Sequence, residues 1–272
     1  MQHERRRHVS ILVSLIALCC LLIACALYSG SLGQLFGAGT KLWSIVHGQC
    51  VPRWLSEHKP DPCRKVTIDD DPRRGWVILK DRIGRAQHLL IPTSRISGIE
   101  SPLLQAAGGP NYFAIAWRHR EFLADSLGRR LTSHDVILTV NSQYRRSQGQ
   151  LHVHMDCVQS SVRERIESIK SQIGEEWSLL PLRLAGHRFR ARRILVQDTI
   201  EQDTIEPDPF RLLGILGDVP TSEMGHHSLA VLAADFGKDG SGFIILDGYV
   251  SDRLRGGANG GELQDHDCNL SR

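Results

Sequence analysis

Asn141–Cys157 reads NSQYRRSQGQLHVHMDC, and the second half of this stretch alternates apolar and polar residues as a β-strand does. One face of the predicted strand carries Leu151, Val153 and Met155, and the other carries three proton-handling side chains: His152, His154 and Asp156. With 13 histidines in 272 residues, a His-x-His pair is expected about 0.6 times by chance, so the pair alone is weak evidence for a site.

The flanking sequence supports a site. Asp135–Val140 has the composition of a strand, and Asn141–Gly149 is a polar loop that leads into the histidine strand. This order would bring Arg145, Arg146 and the loop amides next to the imidazoles. Because guanidinium groups bind phosphate oxygens well, the pattern predicts an anionic substrate that carries phosphate.

The same residues resemble the histidine-triad (HIT) superfamily of nucleotide hydrolases and transferases. Asn141-Ser142, Ser147-Gln148 and His152-Val153-His154 match its Asn, its Gly-Gln-Ser-like turn and the first two histidines of its His-φ-His-φ-His strand. Upstream, His88-Leu89-Leu90-Ile91-Pro92 resembles the strand that precedes the triad. By this resemblance His154 is the nucleophile, and Asp156 departs from the pattern at the third triad position.

Longer strings resemble one family within that superfamily, the CDP-diacylglycerol pyrophosphatases (CDP-diglyceride hydrolases). They occur in order at Leu42–Pro52, Val77–Asp81, Pro92–Leu104 and Asn141–Cys157, and the resemblance extends to Asp265-His266-x-Cys268. It implies an enzyme, a phosphoric anhydride hydrolase that cleaves the pyrophosphate bond of CDP-diacylglycerol to CMP and phosphatidate. No cofactor is expected.

The resemblance also implies roles for individual residues. His154 would attack the α-phosphorus and carry a cytidylyl group that water then hydrolyses, and His152 would hold phosphoryl oxygens or orient the nucleophile. Asn141 and Gln148 would place ribose or phosphate oxygens, and the amides near Gln148 would receive developing negative charge. Weaker candidates for substrate binding each have an ordinary structural explanation as well: Lys80, Arg145 and Arg146 for the second phosphate, His88, and Asp156. Asp156 either orients an imidazole or bonds to the backbone at the end of the strand.

Two other functions stay open. His152, His154 and Asp156 could form one face of a zinc or iron site in a metallohydrolase or oxygenase, although no further ligand stands at motif spacing. The histidines available elsewhere for such a site are His187, His226 and His227. The second alternative is a membrane-tethered module that binds a nucleotide or a lipid headgroup.

The first 40 residues predict a membrane anchor. Residues 1–8 are basic, and residues 9–28 are uncharged and apolar, enough for a helix about 30 Å long. The arginines before this span place the N-terminus in the cytoplasm. We therefore expect a single-pass protein of the inner membrane with its catalytic domain on the periplasmic side, and the membrane as a partner. A cleaved signal segment and lipidation at Cys25 stay open. Residues 29–40 would be a linker and residues 41–272 the catalytic domain.

Charge and cysteine content add two expectations. The net charge of +3 is modest, so nothing indicates a nucleic acid partner. The body carries four cysteines, which the sequence alone allows to pair in three ways. In an exported protein we expect Cys50 to pair with Cys63 and Cys157 with Cys268, and four free thiols are the alternative. The oligomeric state stays open.

The order of elements predicts an α+β domain with a HIT-like antiparallel sheet and flanking helices. Apolar periodicity and turn residues predict the following elements before Trp177: strands at 75–80, 87–92 and 135–140 besides the histidine strand, and helices at 112–127 and 160–173. The rest of the chain could repeat this plan in reduced form, with a strand at 187–196, a short helix at 209–216 and a hairpin at 228–236 and 242–250.

Overall fold

The computed structural model describes residues 39–68, 74–196, 204–252 and 256–270. These residues contain eleven strands: β1 (Lys65–Thr67), β2 (Trp76–Lys80), β3 (His88–Pro92), β4 (Val136–Val140), β5 (Val153–Val158), β6 (Ser178–Leu179), β7 (Phe189–Leu195), β8 (His227–Asp235), β9 (Ser241–Asp252), β10 (Gly256–Gly257) and β11 (Gln264–Asp265). They form one antiparallel sheet in the order β1-β2-β3-β5-β4-β8-β9-β7-β6, while β10 pairs with β9 and β11 with β5.

The helices of the described residues are few and short. They are α1 (Lys41–Ile45), α2 (Val51–Glu57), α3 (Tyr112–Arg118), α4 (Glu121–Leu127), α5 (Ser160–Ile169) and α6 (Pro209–Arg211). A π-helical turn, Val46–Cys50, joins α1 to α2, and a second one, Leu212–Leu216, follows α6. The 3₁₀ turns are Pro102–Leu104, Ser133–Asp135, Lys170–Gln172, Met224–His226, Gly237–Asp239 and Gly260–Leu263.

The predicted fold class is wrong. A HIT-like α+β domain with a reduced second copy was expected, whereas the described residues form a single continuous eleven-stranded sheet with few helices. The reason is the ladder between β4 and β8, in which Ile137 pairs with Leu232 and Thr139 with Ala230. Because β4 is buried on both faces, no solvated edge separates the two halves of the chain.

The predicted transmembrane helix, residues 9–28, lies outside the described residues. In the part of the chain that the structure describes, no helix is long and apolar enough to cross a membrane. The longest, α5, has 10 residues. The expectations of a membrane partner and of a single-pass inner-membrane protein with a periplasmic domain are corrected to this extent: no helix among residues 39–68, 74–196, 204–252 and 256–270 supports them.

The individual elements largely match their predicted ranges, but three predicted helices differ. The helix expected at 209–216 is α6, three residues long, followed by a π-helical turn. The helix expected at 112–127 is two helices, because the backbone tightens between them: His119 N–H donates to the Ala116 carbonyl instead of continuing the α-helical pattern of α3. The helix expected at 160–173 ends at Ile169 and continues as a 3₁₀ turn.

Alternation along β5 gives the sheet two unlike faces. On the back face, Val153 and Met155 pack into a buried core with α3. On the front face, α5 covers β4 and the strands beyond it, while α1 and the following π-helical turn cover β2 and β3. His154 and Asp156 point to the front face from β5, which lies between these two helical covers.

Two disulfides cross-link the fold. Cys50 and Cys63 are bonded over a sequence separation of 13, and Cys157 and Cys268 over a separation of 111. Next to the second bond, β11 pairs with β5 opposite Val158 and Cys157. The C-terminal segment is therefore held beside the histidine strand by both a ladder and a covalent bond.

Replacing Cys157 and Cys268 by Ala should lower the free energy of unfolding by about 2 kcal/mol more than replacing Cys50 and Cys63, because the unfolded-chain entropy that a disulfide removes grows with the logarithm of loop length. All four cysteines are buried, so both double variants lose similar packing. The difference between their free energies of unfolding therefore reports the effect of loop length. Urea unfolding under non-reducing conditions, followed by circular dichroism, measures the difference. Equal losses would contradict the chain-entropy explanation.

Candidate active site

His154 lies in β5, between β3 on one side and β4 on the other. Its neighbours across the two ladders are Leu89 and Thr139. The side chain stands on the front face and is half-buried. The ring is therefore held by neighbouring side chains while part of the residue remains exposed.

The position of Asn141 indicates which ring nitrogen of His154 carries a lone pair. Asn141 Oδ1 accepts hydrogen bonds from Gly261 N–H at 3.2 Å and from the Asn259 amide at 3.0 Å. The bond from the Gly261 backbone fixes the orientation of the Asn141 amide, whose Nδ2 then lies 3.5 Å from His154 Nε2. Because an amide nitrogen only donates, His154 presents its lone pair at Nε2.

The other ring nitrogen, Nδ1, faces the buried side chain of Gln87. The Gln87 amide nitrogen stands 2.6 Å from His154 Nδ1, and within the described residues the Gln87 oxygen is left without a partner. A neutral imidazole with its lone pair at Nε2 has its proton at Nδ1. We therefore assign the amide in the turned-over orientation, in which the Gln87 oxygen accepts this proton.

Both imidazoles of the His-x-His pair are neutral in the free protein. The His152 and His154 rings meet edge to face with centroids 4.7 Å apart. His152 is buried and donates Nδ1–H to the Gln150 carbonyl at 2.7 Å. Burial lowers the pKa of His152, and burial lowers the pKa of His154 well below its usual value. Repulsion from the nearby rings of His152 and His266, when they are charged, lowers the pKa of His154 further. A neutral His154 can act as a nucleophile at Nε2.

Asp156 lies two residues beyond His154 on the same face and is buried. Its Oδ1 accepts Cys157 N–H at 2.9 Å, and its Oδ2 accepts Nδ1–H of His266 at 2.6 Å. Burial raises the pKa of Asp156 to about 6, and these hydrogen bonds limit the rise. Asp156 thus contacts both an imidazole and the backbone, the two partners considered for it from the sequence.

Two arginines predicted to bind phosphate are paired with carboxylates. Arg146 forms two hydrogen bonds to Glu100, at 2.5 and 2.8 Å. Burial raises the pKa of Glu100, but the hydrogen bonds and charge of Arg146 lower it by more, so the pKa lies below its usual value. Arg145 stands 2.8 Å from Glu262. Each arginine would have to exchange its present partner to bind a substrate phosphate.

His88 and Lys80 do not line the front face with His154. His88 pairs with Met155 across the β3–β5 ladder and points to the back face. There its Nδ1–H donates to the Ala86 carbonyl at 2.7 Å, and burial lowers its pKa to about 4. Lys80 stands opposite His88 in β2 and donates to two backbone carbonyls of the following turn.

Gln148 and its loop are used to attach the N-terminal helices. Gln148 Oε1 accepts Leu42 N–H at 3.3 Å, and Gly149 N–H donates to the Gly39 carbonyl at 3.2 Å. The side chain predicted to contact ribose or phosphate, and one of the amides predicted to receive charge, are therefore engaged within the protein.

The three residues considered for a metal site do not converge. Within the described ranges, a different group of side chains has ligand atoms that all lie within 4.8 Å of one another. It consists of Asp156, Cys157 and Cys268. Two of these three are joined in a disulfide, so their sulfurs are not free thiolates. His187, His226 and His227 have other partners: Glu262, Tyr144 and Asp247.

Sequence reasoning missed three side chains around His154, namely Gln87, Asn259 and His266. Gln87 directly precedes the His-Leu-Leu-Ile-Pro string, and His266 stands in the C-terminal Asp-His-x-Cys string. Strand alternation from His88 would have placed Gln87 on the opposite face to His88. No comparable signal marks Asn259.

Comparison with known proteins places the chain in a family. The family model for CDP-diacylglycerol pyrophosphatase matches residues 38–272. The chain is also 38% identical, over 251 residues that cover 92% of each chain, to the CDP-diacylglycerol pyrophosphatase of Yersinia pestis. The predicted family and the prediction of an enzyme of that class are confirmed, and membership of the histidine-triad superfamily stays a prediction. This chain belongs to the CDP-diacylglycerol pyrophosphatase family.

Proposed function

We propose that this chain hydrolyses CDP-diacylglycerol to CMP and phosphatidate through a cytidylyl group carried on His154. Family membership supports the substrate and the overall reaction. The contact between the Asn141 amide and His154 Nε2, 3.5 Å long, carries the mechanism, because it favours a lone pair on that nitrogen. The substrate phosphate takes the place of this weak contact, which frees the lone pair for attack. A neutral imidazole held in this tautomer on an accessible face is suited to attack phosphorus.

The hydrolysis proceeds in two displacements at the same phosphorus. In the first, His154 Nε2 attacks the phosphorus that bears the cytidine, the bond to the bridging oxygen breaks, and phosphatidate leaves. In the second, water attacks this phosphorus, the phosphorus–nitrogen bond breaks, and CMP leaves with His154 restored. The imidazole replaces water, a weaker nucleophile, in the first displacement.

Gln87 supports the charge that develops on His154. When Nε2 bonds to phosphorus, the ring becomes positively charged and its Nδ1–H becomes a stronger hydrogen-bond donor. The oxygen of Gln87, turned towards Nδ1, stabilises this charge. The same bond keeps the proton on Nδ1, so that the lone pair stays on the attacking nitrogen.

His152 is the residue that would hold the phosphoryl oxygens. Its Nδ1–H is already donated to Gln150, so Nε2 must gain a proton before it can donate to substrate. A phosphate beside the ring raises the pKa of His152 against the effect of burial. We expect His152 to become protonated as the substrate binds.

His154→Ala should lower kcat/KM for CDP-diacylglycerol by about 10⁴-fold or more, because the variant has no nucleophile. Wild-type protein denatured soon after mixing should carry a cytidylyl group on His154, which intact-mass measurement and peptide mapping detect. The matched control is His134→Gln, since His134 is exposed in the turn before β4 and should keep full activity. Turnover without an adduct, abolished by a chelator, would favour the metal-dependent alternative instead.

Gln87→Met should lower kcat by about 10²- to 10⁴-fold, because the proton on His154 Nδ1 loses its acceptor and the tautomer is no longer fixed. Gln87→Glu keeps an acceptor oxygen at the same distance and should retain at least about ten times the activity of Gln87→Met. Steady-state kinetics of the two variants, with their unfolding temperatures, test this pair. Equal losses in both variants, measured at a pH high enough to keep His154 neutral beside the added carboxylate, would contradict the assigned tautomer.

A further inference from the structure

His266 is brought to the site from the far end of the chain. The β11 ladder places Asp265 opposite Cys157, so the next residue, His266, lies alongside Asp156 on β5. Two residues further on, Cys268 is bonded to Cys157. The position of the His266 backbone is thus fixed on both sides by attachments to the strand that carries His154.

The side chain of His266 has the arrangement of a proton-transfer group. Its Nδ1 is 2.6 Å from Asp156 Oδ2, and its side chain is 43% exposed while that of Asp156 is fully buried. A carboxylate bonded at Nδ1 fixes the proton there. Nε2, to which no described residue is bonded, is left to exchange a proton with water or substrate.

Strand geometry places this imidazole close to the nucleophile. Asp156 and His154 are two positions apart on one strand and point to the same face, at a spacing of about 7 Å. The positive charge of His266 is one of the causes that lower the pKa of His154. A phosphate held between His154 and the exposed edge of His266 would contact both rings.

The two displacements require a proton donor and then a proton acceptor. His154 cannot serve, because its Nε2 is bonded to phosphorus and its Nδ1 faces Gln87. His152 is buried, donates Nδ1–H to the Gln150 carbonyl, and has its Nε2 assigned to holding the phosphoryl oxygens that stay on the phosphorus. His266, in contrast, reaches solvent, where the attacking water enters.

We propose that His266 is a catalytic acid–base residue of this enzyme, with Asp156 as its positioning residue; this rests on the proposed function. In the first displacement protonated His266 gives its Nε2 proton to the departing oxygen of phosphatidate. In the second, neutral His266 takes a proton from the attacking water, whose oxygen bonds to phosphorus as the bond to His154 breaks. His266 ends the cycle protonated, as it began, and the protons balance.

The titratable and charged groups around His266 are few among the described residues. Asp156 and His154 face it from β5, Asp265 and Asp267 flank it in sequence, Arg85 N–H donates to its carbonyl, and Lys80 at the end of β2 acts on Asp156. Ionised Asp156 is required to hold His266, so kcat/KM should fall as the pH is lowered and Asp156 becomes protonated. This acidic limb of the pH profile should change when the carboxylate is replaced.

The test is rapid-quench mixing of CDP-diacylglycerol in detergent micelles with wild type, His266→Gln and the control His134→Gln. His266→Gln should lower kcat by about 10²- to 10⁴-fold, the range for loss of a general acid–base group. Its cytidylyl-His154 adduct should build up, because water attack without a base slows more than the departure of a phosphate. His266→Gly should regain activity when imidazole is added. Asp156→Asn should lose the acidic limb of the pH profile.

Three outcomes would overturn the proposal. His266→Gln with the kcat of His134→Gln and no build-up of adduct excludes acid–base catalysis by His266. The proposal is also excluded if His266→Gly is folded, as judged by its unfolding temperature, but does not regain activity when imidazole is added. Wild-type turnover with no adduct on His154 in any variant refutes the His154 mechanism itself, and the role of His266 falls with it.

Discussion

The alternation of one strand between two paired neighbours is the constraint on which the site depends. Because β5 is hydrogen-bonded to β3 and to β4, its side chains cannot change faces without breaking both ladders. Val153 and Met155 are buried in the back core, which fixes the register. The same register presents His154 and Asp156 together on the front face, so the packing of the core and the geometry of the site have one cause.

Amide groups then set the chemistry of this face. Asn141 is oriented by a backbone donor, Gly261, and in turn defines the tautomer of His154. Burial lowers the pKa of His154 well below its usual value, so the ring stays neutral. A charged partner at Nδ1 would raise that pKa, whereas the amide of Gln87 can accept the proton without attracting a second one. A neutral partner therefore suits the proposed role of His154, which needs a lone pair at Nε2.

Local patterns in the sequence predicted most elements, and contacts between distant segments account for what they missed. The histidine strand and the hairpin of β8 and β9 follow from alternation and glycine-containing turns, which act over a few residues. The β4–β8 ladder joins segments far apart in the chain and leaves no period to detect, which is why the fold class was wrong. In the site, Arg146 looked free to bind phosphate because its partner, Glu100, is also distant in sequence.

Asp156 shows how a buried carboxylate can recruit a histidine from outside its own strand. A histidine at this position would be as buried as Asp156 is and, like His152, would have its pKa lowered by loss of water. A carboxylate instead attracts an imidazole from outside the strand, and His266 keeps part of its surface in solvent. Burying the carboxylate is costly, as the pKa of about 6 for Asp156 indicates. Two hydrogen bonds to Asp156 offset part of that cost, and the disulfide next to them keeps the imidazole in reach. The C-terminal segment is thus placed to serve as part of the site.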